Sequence, residues 1–216
     1  MKTITKKPED VIQNTKRYII DTARCLFSEY SYLGVSMNDI AKKLNITKAA
    51  LYYHFTGKTE IYGKVLDDVF NDLNLTLTQA LNETSVDKKL HKLIKNYLDF
   101  GSKEKNLIKA LMLKLLPTDS RAQITKHIIQ LREEIANLIQ PIIEEVSANR
   151  KLTKRVDNRL LTSLLTSMMD GLLLEYSFLN KKIDSEKISD QIIAVLFKRS
   201  RIRPPQGLNK LINERR

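Results

Sequence analysis

Two short apolar stripes at helical spacing, divided by a single asparagine, lie within residues 36–58, SMNDIAKKLNITKAALYYHFTGK. They read as two short helices joined by a tight turn. Ser36 is a good N-cap, and Asp39 three residues on completes a capping-box-like arrangement. Ile40, Ala41 and Leu44 then share one face, with Ala41 small where a second helix must cross closely. Asn45 tolerates the left-handed conformation that ends many helices. Ile46 is placed to plug the gap under the turn, and Thr47 to cap the next helix. Leu51 and Phe55, four apart, form its buried stripe. The arrangement is a helix-turn-helix.

The opposite face carries Lys48, Ala49, Tyr52, Tyr53 and His54. Exposed aromatics and a cation beside small residues are poor surface for a monomer but suit a DNA groove. Short side chains allow close approach to base edges, while Tyr hydroxyls, His and Lys reach phosphates. Thr47 or Ala49 is placed to touch a thymine methyl. Lys58 follows Thr56-Gly57 at the start of another helix, where free N–H groups and the positive dipole end suit a phosphate.

These residues resemble the DNA-binding domain of the TetR (TetR/AcrR) family of bacterial transcription regulators. The matching string is VSMNDIAKKLNITKAALYYHFTGKTEIYGKVL, residues 35–66, and YIIDTARCLFSEY at 18–30 looks like that family's first helix. The resemblance implies an all-α homodimer, with an N-terminal three-helix DNA-binding domain and a divergent C-terminal domain for ligand sensing and dimerisation. It implies DNA contacts at Ser36, Thr47, Lys48, Tyr52, Tyr53, His54 and Lys58, to which the residue reading adds Ala49. The family often has glycine where this chain has Ser31 and Asn45; Gly34 is expected to relieve the first of these turns.

The remaining composition agrees with an all-helical chain of about nine helices. Of 216 residues only 6 are Gly and 5 Pro, and there is no Trp. Residues 1–60 are expected to form the DNA-binding domain, 61–200 the sensing and dimerisation domain, and 201–216 a basic tail. Net charge is +12, of which residues 1–60 carry +4, residues 198–216 carry +6, and the long middle only +2. A basic end suits a polyanion through counterion release. Cys25 is the sole cysteine, so no intrachain disulfide forms, as suits a reducing cytoplasm. The N-terminus, polar and lysine-bearing, has no secretory character. Leu160 to Leu179 is apolar but holds Asp170, Glu175 and several Ser and Thr, so it reads as a buried helix rather than a membrane span.

Residues 1–14 read as a polar lead-in. Helices are expected over about 15–30, 58–81, 86–100 (broken by Gly101-Ser102), 103–116, 120–146 (kinked at Pro141), 154–179 and 185–198. Leu160, Leu161, Leu164, Leu165, Met168, Leu172 and Leu173 spread too widely for one buried face, so the helices at about 154–179 and 185–198 are expected to pair two subunits. Two-fold symmetry then sets two recognition helices about 34–36 Å apart, or a multiple, on a near-palindromic operator.

A small-molecule effector of unknown identity is expected among helices 86–180. Its candidate liners are Tyr97, Phe100, Met112, Leu116, His127, Leu131, Met168, Met169, Asp170, Tyr176 and Phe178. Asp170 stands out because an acid on an apolar helix costs free energy unless paired. The expected output is repression, with the effector shifting the dimer away from DNA. A nonspecific architectural DNA binder is the alternative, but it has no need of a large, nearly neutral helical domain. Catalysis is not expected. His54, His91 and His127 lie far apart, none has metal-ligand or nucleophile-motif spacing, and there is no glycine-rich phosphate loop. No cofactor or metal is called for.

Overall fold

The computed structural model describes residues 8–104, 118–149 and 157–197. Among these the architecture is all-α: α1 (Pro8–Tyr30), α2 (Met37–Leu44), α3 (Lys48–His54), α4 (Lys58–Thr78), a 3₁₀ turn (Gln79–Asn82), α5 (Val86–Lys103), α6 (Thr118–Asn149), α7 (Asn158–Phe178) and α8 (Ser185–Phe197). The expected helix over 103–116 and the basic tail 201–216 lie outside the described residues, Lys103 and Glu104 apart.

Helix α1 begins seven residues before the expected start, so much of the supposed lead-in is helical. Pro8 occupies its first position, where a ring-fixed φ favours the helix and the missing N–H costs nothing. Ile19, Ala23, Leu26 and Phe27 turn its apolar face inward. The helix stops at Ser31, which adopts the left-handed conformation (φ 63°) itself. Gly34 serves a different need from the one expected of it. A Cβ there would stand 2.2 Å from the Tyr30 carbonyl oxygen, so the loop closes only around a hydrogen.

Helix α4 joins the two halves of the molecule. Its first three turns send Ile61, Tyr62, Val65, Leu66 and Val69 into the core built by α1–α3. Its last turns send Leu73 and Leu77 into a second core, formed with α5–α8. The expected boundary at 60/61 therefore falls inside one continuous helix. The first core is aromatic at its centre: Tyr62 meets Phe27 and Tyr32 edge-on, with ring centroids 5.0 and 4.7 Å apart. Helix α6 also spans both cores, with Ile124 and Leu131 in the first and Ile135, Ile139, Ile142, Ile143 and Val146 in the second.

Helix α5 does not break at Gly101-Ser102 as expected but runs to Lys103. Glycine inside a helix costs about 1 kcal/mol relative to alanine. Burial of Leu90, Leu93, Ile94, Tyr97 and Leu98 along the same helix overrides that preference. Pro141 lies within α6, whose helix continues past it to Asn149. Helix α8 begins where Asp184 and Ser185 suggested, with Asp184 Oδ1 accepting from the Lys187 amide at 3.1 Å. None of the described helices is long and apolar enough to cross a membrane.

Candidate nucleic-acid interface

Each local signal in residues 36–58 acquires a partner in the fold. The Ser36 hydroxyl accepts from the Asp39 amide at 3.2 Å. Asp39 Oδ2 accepts from the Ser36 amide at 2.9 Å and from its hydroxyl at 2.6 Å. Those bonds to Ser36 hold the Asp39 carboxyl below the ordinary aspartate range. Asn45 takes the left-handed conformation (φ 55°), and the following Ile46 amide donates to the Ala41 carbonyl at 3.0 Å. Thr47 then caps α3, its hydroxyl accepting from the Ala50 amide at 3.1 Å. Leu51 and Phe55 are buried, which rolls the other side of α3 outward.

On that outward side Tyr53 is 76 % exposed and Tyr52 47 %. Thr47, Lys48 and Ala49 are also exposed, and His54 is half-buried. The Lys48 ammonium stands 5.8 Å from the Tyr52 ring centroid, and His54 meets Tyr53 edge-on at 5.1 Å. Lys16 of α1 adds a cation that the sequence reading did not include, 5.8 Å from the Phe55 ring centroid. Its contact crosses 39 residues of chain, so no local pattern announces it. The result is an aromatic ridge flanked by the Lys48 cation and by small residues, presented on a short helix capped by Thr47.

Lys58 turns inward. Its Nζ donates to the carbonyls of Tyr32 (2.9 Å) and Val35 (2.8 Å) and lies 4.2 Å from the Tyr32 ring centroid. Burial pushes the ammonium below the ordinary lysine range. Lys58 thus ties the loop ahead of α2 to the start of α4, with one of its three donors left for an outside acceptor. Sequence reasoning missed this because the carbonyls it satisfies lie more than twenty residues upstream. Glu60 completes the same corner: its Oε2 accepts from the Thr56 amide at 2.7 Å and hydroxyl at 2.8 Å, and those bonds lower its pKa.

The candidate effector liners that lie among the described residues fall in three places. Tyr97, Met169 and Asp170 are buried together, with Met168 half-buried beside them. The Tyr97 hydroxyl donates to Asp170 Oδ1 at 2.6 Å, and Arg132 Nη2 pairs with Asp170 Oδ2. Burial, reinforced by the Asp170 charge, raises the Tyr97 pKa far above the usual tyrosine range. Arg132 was absent from the sequence reading; it sits 38 residues from Asp170, on an unrelated-looking turn of α6. A second group lies at the junction of the two cores. Leu131 packs in the first core and Phe100 between both, while His127 Nε2 is 2.5 Å from Asp67 of α4. These three couple α5 and α6 to the first core, where α6 lies across α4. Third, Tyr176 lines a small cleft of about 30 Å³ with Gly101, Leu173 and Ile183, room for about one water. Phe178 is exposed, and Met112 and Leu116 lie outside the described residues.

Comparison with known proteins agrees with this geometry. Residues 19–65 match the family model described as bacterial regulatory proteins, tetR family. Residues 67–199 match the model described as YsiA-like protein, C-terminal region. The chain is similar to the biofilm operon icaADBC HTH-type negative transcriptional regulator IcaR of Staphylococcus aureus, at 32 % identity over 154 residues, covering 70 % of this chain and 81 % of IcaR. Among solved structures it superimposes on the fatty acid degradation regulator FadR from Bacillus halodurans (TM-score 0.72, 18 % identity, 91 % of this chain and 98 % of that one). The transcriptional regulator FadR from Bacillus subtilis, in complex with stearoyl-CoA, gives a TM-score of 0.69 at 18 % identity over 83 % of this chain and 96 % of that one. At those identities the structural likeness speaks for the fold. The two family matches together span most of the chain, and with the IcaR relative they make this protein a member of the TetR family of bacterial regulatory proteins.

Proposed function

We propose that this regulator binds a near-palindromic DNA duplex as a homodimer, represses transcription there, and leaves the duplex when a small-molecule effector binds. The observation that carries the DNA reading is the Tyr52–Tyr53 edge of α3, exposed beside Lys48 while Leu51 and Phe55 anchor the helix below. In this reading Ser36, Thr47, Lys48, Ala49, Tyr52, Tyr53 and His54 meet the duplex. Lys58 contributes mainly by holding the loop that orients α2. Repression is supported by the IcaR relative, whose name describes a negative regulator.

Pairing is supported by an apolar face that is exposed among the described residues. Leu160, Leu164 and Phe178 are exposed on α7, and Val195 is exposed on α8. Leu160, Leu164, Gly171 and Phe178 recur at intervals of four and seven, which places them along one side of the helix. A Cβ built on Gly171 would meet nothing within 4 Å, so this position leaves room for a second helix to approach closely. Effector binding is supported by the stearoyl-CoA held by B. subtilis FadR and, in this chain, by buried Tyr97 and Asp170, which Arg132 joins from the surface, beside Met168 and Met169.

Selection of bound duplexes from a random pool tests the proposal. The expected winner is a near-palindrome with half-sites one helical turn or a multiple apart. Retention of all duplexes alike at fixed salt would instead make the chain a nonspecific architectural binder.

A further inference from the structure

Two arginines on one side of α1, two turns apart, meet two aspartates one turn apart on α4. Arg17 Nη1 pairs with Asp68 at 2.8 Å, and Arg24 Nη1 with Asp72 at 2.5 Å. Arg17 stops there, apart from its contact with Asp21 in its own helix. Arg24 reaches further. Its Nη2 donates to Glu104 Oε1 at 2.6 Å, and the Ser28 hydroxyl one turn along donates to Glu104 Oε2 at 3.3 Å. Glu104 is the C-cap of α5, eighty residues away in sequence.

Three features separate this contact from an incidental surface pair. The Arg24 and Glu104 side chains are only 20 % and 13 % exposed, so water screens the pair weakly. A carboxylate at a helix C-terminus is opposed by the helix dipole, so local helix energetics give no reason for Glu104 to sit there. Its favourable partner is Arg24, whose two terminal nitrogens hold carboxylates on separate helices at once. Finally, α5 carries Tyr97 two turns before Glu104, and Tyr97 is the hydroxyl that binds buried Asp170. One helix therefore runs from the polar group of the second core to the first helix of the DNA-binding half.

We infer that Arg24 is a positioning residue that transmits the state of α5 to the recognition domain through Glu104. It rests on the DNA-binding reading above and adds the route of regulation. A shift of α5 moves Glu104, Glu104 moves the shared guanidinium, and α1 moves against α4. Coupling is reciprocal, so a duplex on α3 must likewise restrain the end of α5.

Hydrogen exchange of the full chain tests this with Glu104→Ala and, as a control, Lys95→Ala. Lys95 pairs with Asp99 within α5 and, among the described residues, bonds to nothing in α1. Without DNA, Glu104→Ala is expected to speed exchange at residues 23–29 of α1 about threefold or more, with Lys95→Ala leaving it as in the wild type. With the selected duplex added, wild type and Lys95→Ala are expected to slow exchange at residues 98–104. Glu104→Ala should lose that slowing while retaining duplex affinity within about threefold. Unchanged exchange in α1 of Glu104→Ala, or duplex-dependent slowing that survives in it, would overturn the inference. A wild type that retains no duplex removes the DNA-binding reading alone, since the first measurement still decides whether Glu104 restrains α1.

Discussion

Lys58 shows how a single side chain changes role when its surroundings are known. Its ammonium satisfies the Tyr32 and Val35 carbonyls at the corner ahead of α2. Lys58→Met keeps the aliphatic stem but orphans both acceptors, so a loss of roughly 1–3 kcal/mol is expected. Urea unfolding checks this; a loss below about 0.5 kcal/mol would mean water replaces the ammonium without cost. Asp39 and Glu60 make a pH prediction at the same scale. Hydrogen bonds from Ser36 and Thr56 hold their folded pKa values below the ordinary carboxylate range. The unfolded chain therefore binds more protons between the folded and unfolded values. Their contribution is present in full above the ordinary range of about 4 and is lost as pH falls through the lower folded values. Side-chain carbon NMR should find both groups depressed, and Ser36→Ala should return Asp39 alone toward its usual value. An ordinary Asp39 titration in the wild type would remove the capping-box account.

At the scale of the element, the turns set how the short helices meet. Asn45 at φ 55° does what glycine often does at this position in the family. Asn45→Gly is expected to leave the melting temperature unchanged or slightly raised, and Asn45→Ala to cost roughly 1–2 kcal/mol. Equal stability of the two variants would show that the left-handed turn is not enforced. The Asn45 turn was legible because its side chain chemistry and its backbone need coincide at one position. The first turn was not. Ser31 carries the left-handed backbone while Gly34 supplies only space, a division set by where the Tyr30 carbonyl points. Likewise the stop read at Gly101-Ser102 was overridden, because α5 gains more from continuous packing than it loses at one glycine.

Among the described residues the molecule has two cores threaded by α4 and α6, with an apolar stripe on α7 and α8 facing outward. Replacing Leu160 and Leu164 together by Glu is expected to give a monomer in sedimentation at micromolar concentration, since two carboxylates cannot be buried unpaired at an interface. Duplex affinity should then fall, because two half-sites are no longer read by one particle. A double variant that stays dimeric would move the interface elsewhere.

Periodicity, caps and turn residues lie within a few positions of one another along the chain. The all-helical class, the α2–turn–α3 unit and the outward Tyr-Tyr edge were therefore readable from the order of residues alone. Contacts between distant turns carry no such local mark. The inward turn of Lys58, the pairing of Asp170 with Arg132 and the grip of Arg24 on Glu104 each join residues 23 to 80 positions apart. Which charges meet across that distance follows from how α1, α4, α5, α6 and α7 stack, because a charge drawn out of water, such as Asp170, is stabilised only by the partner that packing brings within reach.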